Sequence, residues 1–309
     1  MPWGATPTTH IIKASRDRWS HEAVVEHLTM RTAAGCGIAA ARTDVGWFGD
    51  KEVIIVERFD RTPEGTSRIH QEDMCQILGH PPRRKYQRNG GPAPEDIADM
   101  FRQASRDQAD QNIARFLDHL LYLWIAADTD GHAKNYSALH LGDGSIHLSP
   151  MYDACSRLPY RKGKFAKKLQ LAMKMGADFS LKAADSADAL KRTARRLALS
   201  PSTVARRASE IASSVPDALA AALDSVPAHA LDSKEVDALA AELPERAEQC
   251  LTVAESAAGQ FDRGENPIRP AIAATGPPTG SLGRCQHIGV RSGKRCVRPT
   301  HKDKRHWYQ

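Results

Sequence analysis

The sequence predicts an α+β fold with two lobes. Short segments rich in β-branched residues lie near the N-terminus, whereas residues 185–258 are rich in Ala and Leu and have a helical pattern. Between these regions, a long apolar helix is followed by the signal of a β-hairpin. Strands and helices grouped in this way are typical of α+β proteins.

The composition is that of a globular protein with a sizeable core. Of the 309 residues, 41% are hydrophobic and 26% are charged. No uninterrupted apolar run approaches the ~18 residues of a membrane helix, and the N-terminus lacks the pattern of a secretory signal. The six cysteines are scattered without a disulfide framework, so we expect a cytoplasmic protein with reduced thiols.

The positive charge is concentrated at the C-terminus. The chain carries 43 Lys and Arg residues against 37 Asp and Glu residues, which is a net charge of +6. Residues 284–309 hold 8 of the basic residues and 1 acidic residue, so the rest of the chain is almost neutral. The body is therefore not predicted to be a broad cationic platform for nucleic acid.

The N-terminal part is predicted to contain two strands and one helix. Residues 8–14 form a short β-branched strand, and Lys51–Glu57 form a second strand of buried character. Residues 20–34 are predicted as a helix, with Ser20 as its N-cap and glycines at its end.

The middle of the chain is predicted to be mainly helical. Residues 72–78 form a short helix, a polar loop covers residues 80–94, and residues 107–127 form a long helix with an apolar stripe. A hairpin follows, with a Gly-Asp-Gly turn over residues 142–144. The predicted units are a partial N-lobe (1–60), a helical C-lobe (61–260), a flexible linker (261–283) and a basic tail (284–309).

A polar segment directly after the most apolar helix contains a candidate site for phosphoryl transfer. Asp130 and Asn135 have the Asp-x-x-x-x-Asn spacing of a kinase catalytic loop. A carboxylate there orients the proton of an attacking hydroxyl, and an amide oxygen reaches a magnesium ion that bridges the phosphates. Asp153 follows the hairpin, where a kinase places its other metal ligand, and Lys134 could balance charge on the transferred phosphate.

This spacing is not specific by itself, because Asp is a common turn residue. Lys13 on the first strand and Glu26 on the following helix fit the lysine and glutamate that kinases pair. Each also has an ordinary explanation, since Lys13 could be a strand-end lysine and Glu26 could belong to a solvated helix face.

The chain resembles the HipA-type serine/threonine kinases of bacterial toxin–antitoxin systems over about residues 5–250. The matching stretches are TPTTHIIK (6–13), IVERFDR (55–61), QEDMCQILG (71–79), KY…GGP (85–92), DTDGHAKNYS (128–137), LSPMYDACS (148–156) and KLQLAMKMG (168–176). The resemblance implies a protein-kinase-like bilobal fold with a truncated N-lobe and a mainly helical C-lobe. It also implies ATP and Mg²⁺ as cofactors, phosphorylation of a protein Ser or Thr, and a role as a toxin. Family substrates lie in the translation machinery, and family partners include a DNA-binding antitoxin.

The resemblance also assigns roles to residues of the catalytic centre. By position, Asp130 is similar to the catalytic base, and Asn135 and Asp153 are similar to the magnesium ligands. Lys13 is similar to the lysine that anchors the phosphates, with Glu26 as its helix partner.

The remaining assignments concern the nucleotide and the catalytic loop. Glu57 and Phe59 fall where the family's interlobe hinge contacts the adenine, and Asp60 falls where it approaches the ribose. His132 and Lys134 lie within the catalytic loop itself and are further catalytic candidates.

One departure from the family concerns the phosphate-covering loop. Only twelve residues precede Lys13, and the sequence contains no G-x-G-x-x-G motif. Three explanations stay open: a misplaced start codon or split gene, a separate protein that completes the N-lobe, or a pseudokinase that acts as a partner- or nucleic-acid-binding module. Without the covering loop we expect weakened ATP binding, because the phosphates lose backbone N–H donors.

The second departure is the C-terminal tail, which contains four candidate zinc ligands. They are Cys285, Cys296, His301 and His306. Four such ligands in a short basic segment fit a small tetrahedral zinc site, although the two cysteines are further apart than in a zinc finger. The alternative is a basic tail in which Cys and His are incidental. In either case the tail could contact nucleic acid through its charge.

Overall fold

The fold is described by a computed structural model, in which residues 8–15, 19–62, 67–104, 106–161 and 169–264 are placed. The strands and helices of these ranges are β1 (His10–Ala14), α1 (Glu22–Gly35), β2 (Thr43–Phe48), β3 (Lys51–Glu57), β4 (His70–Asp73), α2 (Met74–Ile77), α3 (Pro94–Ala104), α4 (Ala109–Ile125), β5 (Ser137–His140), β6 (Ile146–Leu148), α5 (Leu181–Ala184), α6 (Ala187–Leu197), α7 (Pro201–Asp224), α8 (Ala228–Leu231) and α9 (Lys234–Gly264). The predicted α+β class is confirmed.

The first sheet is antiparallel, with the strand order β1-β3-β2. The predicted strand Lys51–Glu57 is its central strand, and Ile54 pairs with Lys13 on one side and with Val45 on the other. This register places Lys13 on an edge strand beside the cleft. The sequence prediction missed β2, whose six residues include Gly46 and Asp44, both poor strand formers.

Helix α1 lies between this sheet and helix α7, and eleven of its fourteen residues are buried. The expectation that Ser20 caps it was wrong. The helix begins at Glu22, and the N–H group of its second residue, Ala23, donates at 3.0 Å to Oγ of Ser15, a residue that directly follows β1. At the other end, a Cβ on Gly35 would lie 2.7 Å from the Cβ of Ala218, so glycine permits the close approach of α1 to α7.

The second sheet is also antiparallel and has the order β4-β5-β6. The predicted hairpin is confirmed as β5 and β6. The prediction of a helix over residues 72–78 was wrong at its start, because Glu72 and Asp73 belong to β4. Asp73 then caps α2 in a capping box. Its side chain accepts from the Gln76 N–H at 3.0 Å, and the Gln76 side chain accepts from the Asp73 N–H at 2.9 Å.

The helical part confirms the prediction for residues 185–258 and extends it. Helix α4 carries the apolar stripe predicted for residues 107–127, and α7 packs along α9. Phe261 is buried in the core, and α9 continues to Gly264. The proposed linker therefore cannot begin at residue 261, because residues 261–264 are helical. The prediction also missed α3, which follows the polar loop. Among the described residues, no helix has both the length and the apolar content to cross a membrane.

Candidate active site

A cleft of about 630 Å³ lies between the first sheet and the segments that follow α4 and β6. This volume is within the usual range for a small-ligand site. Its lining includes all ten residues that the sequence assigned to catalysis, nucleotide binding and magnesium binding: Lys13, Glu26, Glu57, Phe59, Asp60, Asp130, His132, Lys134, Asn135 and Asp153. Residues from widely separated parts of the chain therefore meet at one place.

Lys13 forms the link between the two sides of the cleft. Its Nζ lies 2.8 Å from Glu26 Oε1 on α1 and also donates to a carboxylate oxygen of Asp153. Burial lowers the pKa of Lys13, but the two carboxylates outweigh burial and raise that pKa above its ordinary value. Burial also raises the pKa of the Glu26 carboxyl, and the charge of Lys13 opposes this rise. The ammonium group is thus held between a helix glutamate and the candidate metal ligand.

Asn135 and Asp153, the candidate magnesium ligands, lie next to each other. The Asn135 side-chain nitrogen lies 3.3 Å from Asp153 Oδ2 and 3.3 Å from the Asp153 carbonyl oxygen. Adjacent ligands of an octahedral Mg²⁺ with bonds of 2.0–2.1 Å are about 2.9 Å apart, so this spacing fits after a rotation of the amide. Asp153 has a φ of 60°, a left-handed conformation that costs a non-glycine residue about 1–3 kcal/mol. Such strain is typical of functional positions.

Asp130 is approached by a residue that the sequence analysis did not select. Tyr86, in the loop between α2 and α3, donates its hydroxyl hydrogen to Asp130 Oδ1. Burial and this hydrogen bond raise the pKa of Tyr86 to about 12, so the phenol remains protonated at neutral pH. The loop is held in place because the Lys85 carbonyl accepts from the Ala133 N–H at 3.1 Å and the Tyr86 carbonyl accepts from the Gly91 N–H at 3.0 Å.

Asp128 holds the catalytic loop through hydrogen bonds to backbone N–H groups. It is 2% exposed, and its two oxygens accept from the Asp130 N–H at 2.6 Å and from the Cys155 N–H at 2.8 Å. One carboxylate therefore connects the segment of the candidate base to the segment of the candidate metal ligand Asp153. Burial raises the pKa of Asp128 to about 7.

His132 and Lys134 face different surroundings within the loop. His132 is buried, its ring packs edge-on against Tyr86 at 5.1 Å, and its Nδ1 has no hydrogen-bond partner among the described residues. Burial lowers its pKa, which favours a neutral ring. Lys134 Nζ lies 2.5 Å from Asp73 Oδ2, so its charge is balanced by the carboxylate that caps α2.

The candidate nucleotide-base contacts lie at the end of β3. Glu57 is the last residue of that strand, and the Phe59 ring packs against Tyr152 with 5.3 Å between centroids. Asp60 lines the cleft, but its Oδ2 atom lies 2.7 Å from a guanidinium nitrogen of Arg58 and 2.9 Å from one of Arg61. Although burial opposes the effect, the two arginines hold the Asp60 pKa below its usual range.

The candidate zinc ligands of the tail, Cys285, Cys296, His301 and His306, lie outside the described residues, as does the stretch from 265 to 283. Sequence reasoning missed three residues that contact the catalytic loop: Tyr86, Asp128 and Asp73. The sequence does contain an indication for Asp128. An acidic residue shortly after a helix C-terminus is unfavourable beside the negative end of the helix dipole, which suggests that its carboxylate has another structural role. Tyr86 and Asp73 are distant from the catalytic loop in sequence, so only folding shows their contacts.

Comparisons with known proteins identify the family of this chain. The family model described as "HipA-like C-terminal domain" matches residues 3–219. A putative kinase Y4mE of Sinorhizobium fredii is 30% identical over 250 residues, which are 80% of this chain and 58% of the relative. The serine/threonine-protein kinase toxin HipA of Shewanella oneidensis is 30% identical over 184 residues, which are 55% of this chain and 41% of the relative. The matched parts thus span 58% and 41% of the lengths of these two relatives.

Solved structures are similar as well. HipA of Shewanella oneidensis, in a complex with HipB and operator DNA, matches with a TM-score of 0.67 and 27% identity, covering 83% of this chain and 60% of that one. The Helicobacter pylori proinflammatory kinase CtkA matches with a TM-score of 0.54 and 14% identity, covering 82% and 88%, a likeness of fold alone. The predicted kinase-like fold and the family resemblance are both confirmed: this chain belongs to the HipA-like C-terminal domain family.

Proposed function

We propose that this cleft is the phosphoryl-transfer site of a serine/threonine protein kinase that uses ATP and Mg²⁺. The observation that carries the proposal is the position of Lys13 between Glu26 and Asp153. An active kinase needs a strand lysine paired with a helix glutamate and an aspartate that can bind magnesium, and here these three side chains lie together. The family membership supports the same class of chemistry.

In this proposal each residue has a separate task. Asp130 orients the substrate hydroxyl and accepts its proton, for which the Tyr86 hydroxyl must first leave Asp130 or share it. Asn135 and Asp153 hold the metal ion, which when bound neutralises charge on the phosphates. Lys13 positions the phosphates, and Lys134 can turn from Asp73 toward the transferred group. Glu57, Phe59 and Asp60 contact the adenosine.

The biological role is proposed from the relatives. Because one relative is a HipA toxin and a similar HipA is in a complex with HipB and DNA, we propose that this chain belongs to a toxin–antitoxin system with a DNA-binding antitoxin as partner. The substrate would be a protein, and the translation machinery is the first place to search.

The experiment is a pair of assays on the full chain. ATP with Mg²⁺ should raise the melting temperature, and radiolabelled ATP should label the chain itself or a protein of a cell lysate. Asp153→Asn should reduce the thermal shift, and Asp130→Asn should abolish labelling while the shift remains. Asp217→Asn, on the exposed face of α7, is the matched control and should change neither assay.

A non-catalytic binding module is the alternative function. The observation that favours it is an exposed apolar surface on the first sheet, where the Ile12 and Phe48 side chains are 55% and 59% exposed. A module of this kind would retain a bound antitoxin in the Asp130→Asn and Asp153→Asn variants and would show neither labelling nor a nucleotide-dependent thermal shift. Those results together would refute the kinase proposal.

A further inference from the structure

Three side chains that can bind a metal ion converge on the second sheet, outside the catalytic cleft. They are His70 and Glu72 on β4 and His140 on β5. One ligand atom from each, two imidazole nitrogens and one carboxylate oxygen, all lie within 4.8 Å of one another. None of these residues lines the cleft or has a role in the proposed kinase chemistry.

The strand register explains why they meet. His70 and Glu72 are two residues apart on β4, so both side chains stand on the same face of the sheet. His140 is directly opposite His70, and Ala138 is opposite Glu72. Because alanine is small, the Glu72 carboxylate can extend diagonally across it toward His140, a distance that long side chains cover in antiparallel sheets.

The spacing of the ligand atoms fits a tetrahedral ion. Glu72 Oε2 lies 3.0 Å from His140 Nε2 and 3.7 Å from His70 Nε2. In a tetrahedral zinc site with bonds of about 2.0–2.1 Å, neighbouring ligand atoms are about 3.3 Å apart. The two observed distances bracket this value, and the two imidazole nitrogens lie within 4.8 Å of each other, so side-chain rotations can place all three atoms around one ion.

The hydrogen bonding of His140 supports the same view. Its Nε2 is buried and has no hydrogen-bond partner among the described residues, although the Glu72 oxygen is only 3.0 Å away. The contact therefore lacks the direction of an N–H···O bond. His140 Nε2 is therefore a buried nitrogen without a hydrogen bond, and a metal ion is a partner that would satisfy it. The His70 and His140 rings lie beside each other, with centroids 4.9 Å apart.

The donor set indicates the kind of metal. Two imidazoles and one carboxylate suit Zn²⁺, whereas Mg²⁺ and Ca²⁺ prefer sites made of oxygen ligands. The His70 side chain is 67% exposed, which leaves access for an entering ion and for a water molecule as the fourth ligand. The Glu72 and His140 side chains are 21% and 27% exposed and form the inner side of the site.

The site is close to the catalytic loop along both strands. Glu72 precedes Asp73, which binds Lys134 at 2.5 Å, and β5 begins two residues after Asn135. An ion that joins β4 to β5 would therefore fasten together the two strands that border the loop. We propose that His70, Glu72 and His140 form a zinc-binding site that clamps β4 to β5 behind the catalytic loop.

The test is metal titration of the full chain in a Cys285→Ser/Cys296→Ser background. This background removes the cysteine ligands of the C-terminal tail, so binding by the tail is not mistaken for binding by the sheet. We expect one equivalent of Zn²⁺ with micromolar affinity or better and a rise in melting temperature on binding. Co²⁺ in place of Zn²⁺ should give the visible absorption of a tetrahedral ion.

Variants identify the ligands. His140→Ala and Glu72→Gln should each weaken Zn²⁺ binding by about 100-fold or more, because loss of a direct ligand costs at least as much as loss of an outer-sphere partner. His147→Ala is the matched control, since His147 lies on the same sheet but pairs with Leu139 and so faces the other side. It should bind Zn²⁺ as the background does.

The proposal is overturned if the background chain binds no stoichiometric Zn²⁺, or if Glu72→Gln and His140→Ala, folded as judged by circular dichroism, bind it unchanged. Because Zn²⁺ binding and the Co²⁺ spectrum need neither ATP nor kinase activity, failure of this proposal is distinguishable from failure of the proposed function.

Discussion

Replacing Asp128 by alanine should destabilise the protein and misplace both halves of the candidate active site. The carboxylate accepts two hydrogen bonds, from the N–H groups of Asp130 and Cys155, at 2.6 and 2.8 Å. Without it, both donors are left unsatisfied beside the core, at a cost of about 1–3 kcal/mol each. We therefore expect Asp128→Ala to lower the free energy of unfolding by about 2–6 kcal/mol, and Asp128→Asn, which keeps one acceptor oxygen, by about half of that.

Denaturation in urea, monitored by circular dichroism, measures this change. Asp217→Asn on the exposed face of α7 is the control for the substitution and should change stability by less than about 0.5 kcal/mol. If Asp128→Ala unfolds at the same urea concentration as the unmodified chain, the carboxylate is not a brace and the reasoning fails.

The buried carboxyl of Asp128 should also make the free energy of unfolding depend on pH. Burial raises the pKa of Asp128 to about 7, from an ordinary value of 3.8, so the folded state binds a proton that the unfolded state has lost. The contribution of this carboxyl to stability is therefore present at low pH and is lost as the pH rises from about 4 to 7. Between pH 5 and pH 7 the loss should be about 2 kcal/mol. Asp128→Asn should lack that slope, and an unchanged slope in this variant would refute the assignment.

Three further predictions concern the cleft and the core. Tyr86→Phe should raise the phosphorylation rate by up to about 10-fold, because it removes a hydrogen bond of about 1.5 kcal/mol that competes with the substrate for Asp130; a lower rate would mean that Tyr86 positions the base instead. Lys13→Met should reduce the phosphorylation rate by about 10²–10³ and weaken the ATP-dependent thermal shift, whereas Lys51→Met on the exposed end of β3 should do neither. His119 is buried, and burial lowers its pKa to about 3, so the folded state holds the neutral ring and this contribution to stability is fully present above about pH 6.5. Between pH 7 and pH 5 the free energy of unfolding should therefore fall by about 2 kcal/mol. His119→Leu should lose less stability over this pH range, and an equal loss in both chains would contradict the prediction.

The sequence predicted several elements from local signals and missed others, including β2 and α3. The long helix after residue 107 was found from its apolar stripe, the hairpin of β5 and β6 from its Gly-Asp-Gly turn, and the strand Lys51–Glu57 from its short run of β-branched residues. The strand β2 was missed because Gly46 interrupts its pattern, and the cap of α1 was misassigned because the capping hydroxyl comes from Ser15, seven residues before the helix. Capping from outside the helix leaves no local signal.

By itself, the sequence predicted the class of fold from its hydrophobic pattern, and its resemblance to a known family predicted ten candidate residues, all of which line the cleft. Only the tertiary structure showed that Tyr86 donates to Asp130, that Asp128 joins two segments 25 or more residues apart, and that His70 and His140 face each other across a strand pair. These contacts depend on strand register and on how distant loops pack. Burial and hydrogen bonding across the whole molecule decide such long-range contacts, so they cannot be predicted from a local sequence pattern.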